Sequence, residues 1–301
     1  MKFLPALVLL PAFAFFACSD DPGDTEAAAP TPDAGTPVVD AGTSSDGGKK
    51  TSDAGATAGL ALSVHTTLGI PEAATVADPS HALLVKPQYV MSFDGTRKVP
   101  RWTSWELTTA WLGSTTRSPT FVADAQLPDT IPQSSDADYT RTGFDRGHLC
   151  PSGDRTDSTA DNLATFVYTN VVPQTVASNT GTWKSLETEE RALTQAGNHL
   201  FIIAGSIFAT TPPATIGSGV AVPTSMFKVV VVMSGDHPLP SDVTTSTRII
   251  TVDIPNTTTV SGSYTGYRVK LADVETKTGF RLLSDVAPAV HDALASVVDA
   301  Q

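Results

Sequence analysis

An α+β fold with a largely antiparallel central sheet and flanking helices is predicted, on three observations. Short runs rich in Val, Ile and Phe outnumber segments of helical character. The two kinds do not alternate regularly, as a parallel βαβ design would require. Pro, Gly, Asp and Thr interrupt the apolar runs at short intervals. Residues 83–93, 199–208, 227–233 and 248–254 read as strands. Residues 159–168 and 182–196 read as helices, the second closing at Gly197-Asn198 as helices often do. A third, short helix is expected from Leu271 towards Thr276.

The chain divides into three segments. Residues 1–17 carry Lys2 and then an almost wholly apolar run, too short for a membrane span and suited to an export signal. Ala17-Cys18 is the arrangement at which bacterial lipoproteins are cleaved and lipidated, although Phe15 and Phe16 depart from the usual Leu-small pair before it. Two locations are therefore expected: a bacterial cell-envelope lipoprotein, membrane-associated only through a lipid on Cys18, or a secreted protein. Residues 18–59 repeat Asp-Ala-Gly and hold no aromatic side chain, so they cannot bury enough surface to offset the entropy of ordering. Such a tether has an r.m.s. reach of roughly 35 Å. Residues 60–301 are the expected folded domain, large enough to stand on one hydrophobic core.

The formal charge is −12, from 19 Lys and Arg against 31 Asp and Glu. Residues 1–58 hold eight of the acids and three lysines, leaving 23 acids against 16 bases, a net of −7 for the remainder. A global basic footprint is absent, which excludes a binder held by many phosphate contacts. An enzyme acting on one phosphate needs only local positive charge. Of the two cysteines, a lipidated Cys18 would leave Cys150 without a partner, so no disulfide framework is expected. Cys150 reads as a small buried hydrophobe rather than a redox group.

Chemistry-bearing residues concentrate between Asp138 and Arg191. In Asp145-Arg146-Gly147-His148, an extended backbone would point Arg146 and His148 to the same side. Gly147 between them would leave room for a ligand close to the backbone. A base that deprotonates water beside a cation that meets developing negative charge is what phosphodiester hydrolysis needs. At an ordinary pKa near 6.5, His148 would be a neutral base at physiological pH and would fail below about pH 6. Taken alone, the triplet reads more readily as part of an ordinary strand.

Asn179, Trp183, Glu187 and Arg191 recur at intervals of four. On an α-helix these positions drift by only about 40° per step and form one stripe. An amide, a carboxylate and a guanidinium in a row could support a hydrated divalent ion and a phosphate, since Mg²⁺ keeps most of its waters. The same spacing also suits a core-facing Trp183 with Glu187 and Arg191 as a surface ion pair.

Taken together, the run resembles the DNA/RNA non-specific endonuclease family, the ββα-metal nucleases. The hallmark stands as Asp145-Arg146-Gly147-His148, followed by Pro-Ser-x-Asp-Arg-Thr at 151–156, Thr-Asn-x-x-Pro-Gln at 169–174 and Asn-x-Gly-x-Trp-x-x-Leu-Glu at 179–187. Further landmarks include Leu68-Gly-Ile-Pro71, Tyr89, Trp102, Trp105, Val222-Pro223 and Lys228, and the likeness spans about residues 64–287. The resemblance implies a ββα-metal finger, made of the strand pair around Arg146 to His148 and the Asn179 helix. It implies His148 as general base and Asn179 as the sole direct protein ligand of Mg²⁺, with Mn²⁺ an alternative. Glu187 would accept a hydrogen bond from water on the metal, Arg146 and Arg191 would contact phosphate, and Asn170 would be a supporting amide. Arg117 would add a phosphate contact, on a looser alignment. The implied activity is sugar-non-specific endonuclease cleavage of DNA and RNA. The alternatives are a catalytically inactive nucleic-acid-binding or adhesion lipoprotein, and a phosphodiesterase of small diesters. His65, His81, His199, His237 and His291 have no partner motif and read as structural or exposed.

Overall fold

The structure is a computed structural model that describes residues 63–118, 120–209 and 211–301. The expected export signal at 1–17, Cys18 and the tether at 18–59 lie outside the described residues. In chain order the elements begin with strands β1 (Ala82–Val85), β2 (Val90–Asp94) and β3 (Val99–Leu107). Helix α1 (Asp136–Tyr139), β4 (Phe144–His148), α2 (Thr159–Ala164), β5 (Val171–Thr175) and α3 (Lys184–Gln195) follow. Then come β6 (His199–Ile207), β7 (Thr215–Ile216), β8 (Val220–Ala221), β9 (Ser225–Met233), β10 (Arg248–Pro255), α4 (Leu271–Thr278) and α5 (Pro288–Ala295).

Six strands form one antiparallel sheet in the order β1-β2-β3-β6-β9-β10. The expected strands at 199–208, 227–233 and 248–254 are β6, β9 and β10. The expected run 83–93 is two strands, because Pro87 opens a turn closed by the Lys86 N–H donating to the Tyr89 carbonyl at 3.0 Å. Periodicity missed β3, a central strand, because Pro100 marks such a run as an edge. The strand accommodates Pro100 at a register shift: Phe93 pairs with Pro100 and Ser92 with Trp102, and β6 joins only from Trp102 onward. The helix expected at 159–168 stops at Ala164, where β-branched and aromatic residues take over. Helix α5 carried no signal strong enough to be anticipated.

Alternation along β6 and β9 sends side chains to both faces of the sheet, and both faces are covered, so β6 is buried throughout. One face, with Phe201, Ile203, Phe227 and Val229, packs against α4 and α5 through Leu271, Val274 and Leu294. The other face, with Trp105, Leu200, Ile202 and Val230, packs under a second layer contributed by Leu149, Val172, Trp183 and Leu186. That layer consists of the antiparallel pair β4-β5 and α3.

Candidate active site

β4 lies against β5 in a register that pairs Arg146 with Pro173 and His148 with Val171. Two residues apart on one strand, Arg146 and His148 reach the same cleft, of about 330 Å³. Gly147 is needed for a reason other than the expected one. Any Cβ there would collide with the Gln174 side chain, so the space is filled by protein and is not open to a ligand. The opposite wall is the helix, whose first turns, Ala177–Trp183, are π-wound before α3 begins. Four residues fall short of a full π turn, so the expected stripe is broken. Trp183 turns into the core, whereas Asn179, Glu187 and Arg191 line the cleft with Arg117, Arg146 and His148.

The His148 ring is 6% exposed and packs against Phe121 at 5.1 Å and edge-on to Phe166 at 4.9 Å between centroids. Its Nε2 has no hydrogen-bond partner. Burial, reinforced by the charges of Arg117 and Arg146, lowers its pKa to about 3. This corrects the expectation of an ordinary histidine lost below pH 6: the imidazole is neutral far into the acid range.

The Asn179 amide donates from Nδ2 to Asp145 Oδ2 at 2.9 Å, which leaves its carbonyl oxygen as the group to offer a ligand. Glu187 is half-buried in the cleft wall, and burial raises its carboxyl above the usual range against the opposing pull of Lys228. Arg191 donates to Asp154 Oδ1 at 3.0 Å, and the other Asp154 oxygen accepts from Trp105 Nε1 at 3.0 Å. Arg117 reaches Ser152 Oγ at 3.3 Å and lies 5.1 Å over the Phe166 ring, and so belongs to the site despite its looser sequence match. Arg146 stacks over Phe121 at 5.1 Å and pairs with Asp136 on the rim.

Asn170 is the expected site residue that does not reach the cleft. It is fully buried, accepts from the Cys150 N–H at 3.1 Å, and donates to the Cys150 carbonyl at 2.9 Å and the Thr165 carbonyl at 3.0 Å. The clamp ties the chain just beyond His148 to the Thr165 carbonyl. Several participants were not singled out from sequence. Asp145 and Asp154 sat inside quoted motifs, but only their contacts reveal their use. Phe121 and Phe166, which desolvate His148, carry no motif at all. The remaining histidines stay out of the cleft: His65 bonds the Pro87 carbonyl at 2.7 Å, His199 lies 2.8 Å from Glu106, and His81 and His291 sit between carboxylates. Cys150 is free and buried, its thiol pushed up to about 12 by burial, as befits an inert core residue.

A desolvated neutral imidazole facing three guanidinium groups, with an amide oxygen and a carboxylate across the gap, is the equipment of a phosphodiester hydrolase. Comparison with known proteins makes that class specific. Residues 72–289 match the family described as DNA/RNA non-specific endonuclease. The chain is 37% identical over 240 residues to a nuclease of Nostoc sp., covering 79% of this chain and 87% of that protein. It is 30% identical over 219 residues to Nuclease C1 of Cunninghamella echinulata var. echinulata, covering 67% and 83%. In fold it is similar to a chain from a crystal structure of an EndoG/EndoGI complex, with a TM-score of 0.65 at 23% identity, covering 77% of this chain and 95% of that one. The chain belongs to the DNA/RNA non-specific endonuclease family, and it is a metal-dependent nuclease that hydrolyses phosphodiester bonds.

Proposed function

We propose that this nuclease cuts DNA and RNA internally by using His148 as general base and Arg146, Arg191 and Arg117 as phosphate contacts. The observation that carries the assignment is the buried, partnerless His148 imidazole in the same cleft as the Asn179 amide. A protein that only bound nucleic acid would have no use for His148, Asn179 and Glu187 together in one cleft.

The donor set fits a hydrated divalent cation. No group of three or more His, Cys, Asp or Glu able to hold a metal exists among the described residues. Asn179 would supply the direct oxygen ligand, and Glu187 would hold the ion's water, a sparse set that suits Mg²⁺ best and Mn²⁺ nearly as well. Bound there, the ion would neutralise charge on the scissile phosphate and the leaving oxygen. Asp145 orients the Asn179 amide, and Asp154 holds Arg191 in place. Arg146 and Arg191 would grip the non-bridging oxygens while the His148 imidazole takes a proton from the attacking water. Phe121 and Phe166 keep bulk solvent from the ring.

Incubation of the purified chain with supercoiled plasmid and with RNA, in Mg²⁺ and then in EDTA, tests this directly. Cleavage of both polymers in Mg²⁺ alone is expected. Binding without cleavage, or hydrolysis confined to small diesters, would overturn the reading.

We further propose export directed by residues 1–17, with a lipid anchor on Cys18 holding the enzyme at a bacterial envelope. Mass spectrometry of the mature N-terminus is expected to find an acylated Cys18. An unmodified end would mean plain secretion.

A further inference from the structure

Beneath the cleft, at the contact between α3 and the sheet, lies an ion pair that the chemistry just described does not use. Lys228 of β9 and Glu190 of α3 are both 0% exposed. Lys228 Nζ is 3.1 Å from Glu190 Oε1 and donates to Oε2 at 3.3 Å. The same ammonium sits 4.4 Å from the Trp183 ring and 5.5 Å from the Trp105 ring, so it is held between two aromatic side chains. Glu190 is one turn from Glu187 and adjacent to Arg191, both in the cleft wall. Burying two charges gains little stability over apolar side chains of similar volume, so stability alone does not account for the pair. Directional, charge-assisted hydrogen bonds, by contrast, fix a position.

We propose that Lys228 and Glu190 form a buried pin that sets the height of the catalytic helix against the sheet, and so places Asn179 and Glu187 opposite His148. The pair works alongside a second tie. Arg191 on the same helix binds Asp154, which accepts from Trp105 of β3 and belongs to the turn that follows His148. Sheet, helix and base-bearing turn are thereby locked to one another. A helix that slides loses the Asn179 contact with Asp145 on β4, and with it the orientation of the amide oxygen. Lys228 and Glu190 are positioning residues: neither lines the cleft. This inference rests on the nuclease reading of the site, but metal binding tests it independently of cleavage.

The test compares Lys228→Met/Glu190→Met, which removes both charges together, with Glu190→Gln, which keeps a hydrogen-bond acceptor for Lys228. Mn²⁺ affinity is measured by electron paramagnetic resonance titration, alongside the melting temperature and kcat and KM on plasmid. The double variant is expected to melt near the wild type, to bind Mn²⁺ about tenfold more weakly, and to lose kcat at unchanged KM. Glu190→Gln is expected to keep most of the Mn²⁺ affinity. A double variant with wild-type Mn²⁺ affinity would show that the pair is only packing. A Glu190→Gln variant as impaired as the double would show that a directed hydrogen bond from Lys228 does not set the helix. Either result overturns the pin. Wild-type protein that binds Mn²⁺ with this pattern yet cuts nothing would instead sink the nuclease reading and leave the pin standing.

Discussion

The two faces of the central sheet are covered in different ways. Towards α4 and α5 the contact with the sheet is apolar, built on Trp102, Phe201, Phe227 and Leu282; the ion pairs Lys277–Asp253 and Arg281–Asp292 stay partly exposed, and the buried His291 of α5 meets Glu275 of α4 between the helices. Towards α3 and the β4-β5 pair, the fully buried Asp154, Glu190 and Lys228 are set among Trp105, Trp183 and Leu186. One face makes the domain stable, and the other trades some apolar burial for polar groups that hold a reactive site in register. Large side chains that fill space belong to the first, and named atom-to-atom contacts belong to the second.

That contrast is open to attack by substitution. The largest effect is expected for His148→Ala, which removes a partnerless buried polar group and the proton acceptor together. Plasmid cleavage should fall by about 10²–10⁴-fold while the chain still folds, with a melting temperature lowered by the cavity left beside Phe121 and Phe166. Next comes Phe227→Ala on the apolar face, expected to cost about 3–5 kcal/mol in denaturant unfolding while each molecule still folded cuts at the normal rate. A smaller cost, about 1–3 kcal/mol, is expected for Lys228→Met alone: burial already raises the Glu190 carboxyl, so without the ammonium it takes up a proton and is left buried without its hydrogen-bond partner; here turnover should fall as well. If both variants lost only stability, the division between the faces would disappear.

Much of the site was legible because its chemistry is local. Asp145 to His148 and Asn179 to Arg191 are short runs, and the backbone they adopt keeps their residues together. The parts that were hidden come from long-range packing. Nothing in the neighbourhood of Lys228 announces a partner 38 residues away on α3. The depressed pKa of His148 depends on Phe121 and Phe166, which only the fold brings to the ring. The π-wound turns at Ala177–Trp183 also escaped notice, since intervals of four imply an ordinary helix. In the sheet, strands β6, β9 and β10 were clear from Val and Ile content, whereas Pro100 disguised β3 and Pro87 divided one expected strand into two.

Two smaller effects sharpen the comparison. Asn170→Ala should cost about 1–3 kcal/mol, by leaving the Cys150 backbone groups unpaired, and should lower kcat modestly because His148 is less firmly placed. Nuclear magnetic resonance of the His148 ring should show no titration near pH 6.5, with protonation only as pH approaches about 3. Because the folded pKa lies below the unfolded one, the stability tied to this residue is complete above about pH 6.5. It is lost progressively as pH falls towards about 3. A ring that titrates at its ordinary pKa would mean that the cleft is wetter than described.

The proposed chemistry divides labour across one cleft, with His148 moving the proton and Asn179 holding the cation. Mn²⁺ titration and plasmid cleavage, run together on His148→Ala and Asn179→Ala, test it most directly. His148→Ala is expected to bind Mn²⁺ like the wild type and not to cut, and Asn179→Ala neither to bind nor to cut. Normal cleavage by His148→Ala, or normal Mn²⁺ binding by Asn179→Ala, would contradict it.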